Sequence, residues 1–341
     1  MIIIDQDSRI PKYRQIVQEI IKNIKNGELK YGDRLPSINE LKSTLDVARD
    51  TVVKAYKKLN ATGVISSMPG KGYYISKNIP DIKHRIFLLF DLFLPYKRTI
   101  LNSFLEHIGD HVLVDVYFHH YNKNLYKKLI LEALGKYTDY VIMPLEEKPE
   151  QQTWFNHTLG KQNTYILDVG LKEYGYKYPS VCQDFRKSWY HGLAQVSSRL
   201  RKYDELVLVE YKAPMSQYSA PHDLEMVRGF NEFCRDFKFK SRIIRNIEEA
   251  KVEKNKCYVV SDDDDLVMMM LEAREKGFEP GQNVGFISHN DEPLKSIAGK
   301  NGIATISTDF YEMGKKMAEM ITSGDKQHHI NPSGIMVRDS I

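Results

Sequence analysis

The chain has little of what would place it outside a cell or in a membrane. Its only cysteines are Cys182, Cys234 and Cys257, odd in number, far apart and set among apolar residues. That pattern builds no disulfide framework and predicts buried thiols in a reducing cytoplasm. No apolar run approaches the roughly 18 residues of a membrane span. The opening MIIIDQDSR lacks a basic start and is cut short by Asp5, so it does not read as a signal peptide. Catalytic signatures are also missing: no nucleophile elbow, no H-E-x-x-H and no dinucleotide fingerprint occurs. No enzymatic activity and no cofactor are therefore expected. His119-His120 and His328-His329 have no further ligands at a spacing that would close a metal site.

What is present suggests two domains. A length of 341 residues with 42% hydrophobic content fills two soluble cores. The formal net charge is only +4, but the basic excess lies in the first 80 residues and the remainder is slightly acidic. A small basic segment on a larger neutral body fits phosphate binding that steers without specifying.

The stretch Arg34 to Ile75 carries the strongest local signals. Ser37 followed by Glu40 is a capping box, so a short helix starts after Pro36 and buries Ile38, Leu41 and Leu45. A turn at Asp46 and Val47 ends it. A second helix begins near Arg49, with Val52, Ala55, Tyr56 and Leu59 facing inward, and stops at Gly63. Val64 to Ser67 and Tyr73 to Ser76 are then two short strands around Pro69-Gly70-Lys71-Gly72. Ahead of them, a support helix runs from about Pro11 to Asn26, preceded by a strand or arm at Ile2 to Asp7. Helix, turn, helix and wing form a unit whose second helix enters the major groove of DNA. A nucleotide-cradling loop at Gly70-Lys71-Gly72 is excluded because no helix with a Ser or Thr follows.

These residues resemble the GntR family of bacterial winged-helix regulators over roughly the first 77 positions. Pro11-Lys12-Tyr13-Arg14-Gln15-Ile16 is similar to the family's P-x-Y-x-Q-I. Gly27 and Gly32, Leu35-Pro36-Ser37, Arg49-Asp50-Thr51-Val52 and Gly70-Lys71-Gly72 match its later marks. The family often has a DNA-touching arginine where this chain has Asn39. Position and resemblance together give Arg34, Ser37, Asn39, Arg49, Asp50, Thr51, Lys54, Gly70 and Lys71 as the DNA-binding set, with Arg49 suited to guanine and Thr51 to phosphate.

Residues 78 to 84 read as a polar linker. From Arg85 on, short apolar runs alternate with helix-length segments, which calls for parallel sheets covered by helices on both faces. The fold class is thus α/β: a winged helix-turn-helix at 1–77 and a two-lobed, doubly wound domain at 85–341, with ligand where strand ends meet. This second part resembles the LacI-type sugar-sensing domain, itself similar to periplasmic sugar-binding proteins. Leu167-Asp168-Val169, Ser180 to Asp184, Ser261-Asp262-Asp263, VGFISHND (284–291) and ATISTDF (304–310) carry the likeness. The family's sugar-holding arginine would fall at Met226, whereas the chain has Arg228 beside Gly229-Phe230. The effector candidates are Asp91, Asp168, Arg228, Asp262 and Asn290 as polar partners, with Tyr96, Trp189 and His289 as walls. The run Asp262 to Asp265 invites a metal, but capping of the following helix is the simpler cause.

The resemblance implies a cytoplasmic, homodimeric transcription regulator that binds double-stranded operator DNA and a small effector, most simply a monosaccharide. An enzyme acting on a sugar or nucleotide and tethered to DNA is the alternative, and an architectural DNA protein without effector a third.

Overall fold

The computed structural model describes residues 2–76, 84–109, 112–145, 149–169, 174, 177–210, 221–245, 247 and 251–341. Apart from His84, the expected linker at 78–84 lies outside the described residues.

The winged module follows its local signals closely. Helix α1 (Lys12–Lys25) ends two residues before Gly27, whose φ is +75°. In α2 (Ile38–Leu45) both halves of the capping box are made: Ser37 Oγ accepts from Glu40 N at 3.2 Å and Glu40 Oε2 from Ser37 N at 2.6 Å. Asp46 takes the left-handed conformation that ends α2, and α3 (Arg49–Ala61) follows. The wing strands β1 (Ile65–Met68) and β2 (Gly72–Ile75) pair antiparallel, Ile65 opposite Ile75, each displaced by one residue from expectation. Gly70 and Gly72 have φ of +73° and +110°, the freedom this tight turn requires. Ile16, Ile20, Leu41, Val52, Tyr56, Leu59 and Ile75 fill one core, and the Tyr56 hydroxyl donates to Pro36 O at 2.6 Å. Residues 2–7 form no strand. They are an arm, held by Gln15 Nε2 donating to Asp5 O and Gln6 Nε2 donating to Leu45 O.

The larger domain begins with β3 (His84–Phe90), α4 (Pro95–His107), β4 (Val112–Phe118), α5 (Lys123–Ala133), β5 (Asp139–Ile142), α6 (Pro149–Leu159), β6 (Thr164–Asp168) and β7 (Ser180–Cys182). It continues through α7 (Phe185–Gln195), α8 (Ser197–Leu200), β8 (Glu205–Val209), α9 (Pro221–Asp236), β9 (Ser241–Ile244), β10 (Lys256–Val260), α10 (Asp263–Glu275), β11 (Gly285–His289), α11 (Pro293–Ile297) and β12 (Ala304–Thr308). The chain closes with α12 (Phe310–Ser323), β13 (His328–Ile330) and β14 (Ser333–Met336).

Two six-stranded sheets result, ordered β13-β7-β6-β5-β3-β4 in lobe I and β14-β12-β11-β10-β8-β9 in lobe II. All pairings are parallel except β14 on β12. Alternation along β3 shows why both faces are covered. Ile86, Leu88 and Phe90 pack under α4 and α12, while Phe87 and Leu89 pack under α5 and α6. All three cysteines are buried.

The chain passes between the lobes three times, after β7, after β12 and between β13 and β14. Asn331, 4% exposed, ties the three crossings together. Its N–H donates to Cys182 O at 2.8 Å, and its Nδ2 donates to Thr308 Oγ1 and Asp309 O, both at 2.7 Å.

Candidate functional site

In the winged module, Arg49 and Asp50 open α3 on its exposed face, Thr51 is half-buried one position further, and Lys54 lies exposed one turn on. Gly70 and Lys71 form the exposed wing tip. Arg34 is exposed beside the wing, bridged through its backbone to Tyr74, with its guanidinium lying against Gly72. Asn39 is exposed on the first turn of α2, while Ser37 is occupied in capping. The Lys54 ammonium sits 4.3 Å over the Tyr13 ring. Arg49 and Lys54 of α3, Lys71 of the wing tip and Arg34 beside the wing are thus four exposed cations from three segments of chain.

The effector candidates fall into two groups, one on each lobe. At the strand ends of lobe I, Asp91 is 3% exposed and Asp168 fully buried. Asp91 is paired with Lys97 and accepts from Tyr121 OH at 3.0 Å. Asp168 holds φ at +69° and accepts from Gln183 Nε2 at 2.5 Å and from Tyr96 OH at 3.4 Å. The Tyr96 ring packs on Phe310 with centroids 4.5 Å apart. Burial raises the Asp168 carboxyl above its ordinary value, with Lys97 and Gln183 acting the other way. Beside this cluster His119 is wholly buried, and burial, helped by the Lys97 charge, pushes its pKa down to about 3.

On lobe II, His289 ends β11 and Asn290 follows it. Asn290 has φ of +60°, and its backbone N–H donates to Ile306 O at 2.9 Å. Lys295, 5% exposed, clamps this turn by donating to His289 O at 2.6 Å and Asn290 O at 2.8 Å while pairing with Asp263. Asp262 caps α10 by accepting from Asp264 N at 2.9 Å and Asp265 N at 3.1 Å. Burial raises Asp265 to about 6, with Asp262 and Asp264 adding to the shift. Among the described residues, no three His, Cys, Asp or Glu side chains are gathered to hold a metal. Burial, with the Asp263 charge, raises the Glu292 carboxyl at the start of α11 above its ordinary value, while Lys295 and Arg98 act the other way.

Two sequence expectations need correction. Arg228 does not line a cleft: its side chain is 59% exposed and pairs with Glu225 three residues earlier on α9. Trp189 is no exposed wall, because it is fully buried in the lobe II core with Met226 and Phe230, reaching the site only through the His289 ring 5.7 Å away. Conversely, Lys97, Gln183 and Lys295 escaped the sequence, since a lysine in the first turn of a helix ordinarily extends into solvent. Asp291 also stands apart. Arg338 grips it at 2.7 and 3.0 Å, and Thr305 donates to it at 2.7 Å, so that it stays below its ordinary pKa despite burial.

The architecture is a winged helix-turn-helix module joined to a two-lobed, doubly wound α/β domain, and comparison with known proteins agrees part by part. Residues 12–75 match "Bacterial regulatory proteins, gntR family", so the N-terminal segment is a GntR-type helix-turn-helix domain. The HTH-type transcriptional repressor YtrA of Bacillus subtilis (strain 168) is 44% identical over 78 residues. That match spans 23% of this chain and 60% of YtrA. The dimeric Lac repressor has the same fold over 75% of this chain and 98% of its own, at a TM-score of 0.63 and 14% identity. A Lac repressor dimer bound to operator and the anti-inducer ONPF matches over 75% of this chain and 93% of its own, at a TM-score of 0.61 and 14% identity.

Proposed function

We propose that the chain is a cytoplasmic, homodimeric repressor of transcription. Residues 1–77 bind operator DNA, and residues 85–341 bind a small effector, a monosaccharide, between the two lobes. The observation that carries this is the joining of two complementary surfaces in one chain. An exposed recognition helix and lysine-tipped wing sit on a basic module, and that module is fused to two parallel-sheet lobes crossed three times. Crossings of that kind let lobes close around a ligand while each stays rigid. A ligand that prefers one closure shifts DNA affinity by the free energy of that preference and no more. The operator and anti-inducer held by the similar Lac repressor dimer support the same assignment.

The second copy has a surface to meet on lobe II. Val267, Met268 and Leu271 of α10 are exposed, as are Leu294 and Ile297 of α11 at 74% and 73%. Apolar side chains clustered at that exposure support a subunit contact. A dimer also supplies the two half-sites that a single recognition helix lacks.

The test has three parts. Selection from a random duplex pool should enrich a two-fold symmetric sequence. A thermal-shift panel of monosaccharides and their phosphates should single out one compound, worth about 2.7 kcal/mol at 100 times its Kd. Light scattering should give a dimer for the parent protein and a monomer for Leu294→Glu/Ile297→Glu. A protein that enriches no duplex, or ignores every sugar, does not have this function.

A further inference from the structure

The winged module and lobe I are joined by more than the connecting chain. Helix α5 ends at Ala133, and the last carbonyls of any helix lack partners within it. Here side chains from α1 supply them. Arg14 Nη1 donates to Glu132 O at 3.0 Å and to Leu134 O at 2.5 Å, and Gln18 Nε2 donates to Gly135 O at 2.9 Å. A cation suits this end of a helix, where the macrodipole is negative. Gly135, with φ of +73°, has no space for a side chain: a Cβ there would lie 2.4 Å from Ile10 Cγ2. Ile10 packs into the lobe I core beneath α5 and α6, and Arg9 Nη1 donates to the buried Thr158 Oγ1 at 2.8 Å.

The same helix touches the DNA-facing side of the module. Arg14 Nε donates to Tyr13 OH at 3.0 Å, and Lys54 of α3 lies over the Tyr13 ring. The Tyr13 phenol is held below its ordinary pKa, first by the Arg14 hydrogen bond, with the charges of Lys54 and Lys136 acting in the same direction. Tyr13 thus lies between the recognition helix and the turn that follows α5.

We propose that the C-terminal end of α5 and its turn are a socket for α1, through which lobe I and the winged module move as one body. Movement of the lobes then reaches the DNA through Arg14, Gln18 and Ile10. The inference rests on the proposed DNA-binding function and adds the route by which the sensor domain governs it.

Spin labels at Lys22→Cys on α1 and Lys128→Cys on α5 of the full chain test the socket without DNA. One narrow distance distribution is expected, broadening in Arg14→Ala/Gln18→Ala. A milder variant, Gln18→Ala alone, guards against misfolding and should broaden it less. A broad distribution in the parent, or a narrow one in both variants, overturns the proposal. On a duplex enriched by the parent protein, Arg14→Ala/Gln18→Ala should bind about tenfold more weakly, because two linked modules lose effective concentration when their spacing is no longer fixed. On a duplex carrying half of that site it should bind as the parent does. Equal affinity of variant and parent for the whole site overturns the coupling while leaving DNA binding intact. A parent that enriches no duplex removes the underlying function instead, and the coupling with it.

Discussion

Replacing Lys97 with methionine isolates one buried charge. Lys97 and Asp91 are 1% and 3% exposed, and they pair across the first turn of α4. Methionine keeps the side chain's length and leaves Asp91 with two neutral donors, Leu92 N at 2.5 Å and Tyr121 OH at 3.0 Å. A buried carboxylate deprived of its cation costs about 3–5 kcal/mol. At about 2–4 °C per kcal/mol for a domain of this size, melting should fall by about 6–20 °C. The second step is Lys97→Met/Asp91→Asn, which removes the whole pair and should restore most of the loss, the remainder being the Lys97 charge that Asp168 also loses. Urea denaturation of the four proteins in the cycle gives the coupling. If the single variant is as stable as the parent, Asp91 is not buried against Lys97. If the double variant is as weak as the single one, the loss comes from packing and the charge argument fails.

Arg49→Ala should weaken binding to an enriched duplex far more than to random duplex, since a base-edge contact discriminates by about 1–3 kcal/mol. Lys71→Ala should weaken both alike and flatten the salt slope by roughly one unit; equal behaviour of the two variants would remove the distinction between helix and wing. His119 titrates at about 3 in the folded protein against an ordinary value of 6.5. Only the unfolded chain takes up its proton between those values, so stability falls as pH drops from 6.5 toward 3. His119→Asn should therefore lose about 2 kcal/mol less than the parent between pH 7 and pH 5, and parallel pH profiles in urea would contradict the burial argument. Asn290→Ala should bind DNA normally and respond about tenfold less to whichever sugar shifts the parent, the cost of one lost hydrogen bond of 1–3 kcal/mol. An unchanged dose response would place the cleft away from β11.

Legibility followed the range of the forces involved. The winged module was readable almost residue by residue, because its signals are local: Ser37 with Glu40, Asp46 at the turn, Gly70 and Gly72 at the wing. The short apolar runs after Arg85 include β3, β6, β8 and β10, each buried along nearly its whole length. The strands β7, β13 and β14 were not foreseen, being three or four residues long and strands only by virtue of distant partners. Helix α6 was hidden in PEQQTWFNHTL, where polar residues mask the buried Gln151, Phe155 and Leu159. Strand-end positions such as Asp168 and Asn290 were found because topology fixes them. Whether a side chain there faces ligand or core depends on neighbours far along the chain, and so Arg228 and Trp189 misled while Lys97 went unnoticed.

The interleaving of the lobes has a consequence for how the protein comes into being. The sheet of lobe I ends in β13, which pairs His328 with Ser180 and Ile330 with Cys182, and that of lobe II ends in β14. Both edges thus come from strands made after every other strand of the two sheets, and Asn331 joins the crossings only then. While lobe II is still being made, the edge of β7 stands open, a strand awaiting a partner almost 150 residues downstream. An open parallel edge is prone to wrong pairings. Translation that stalls within α12 should therefore yield a chain with a complete winged module and two sheets that each lack their last strand.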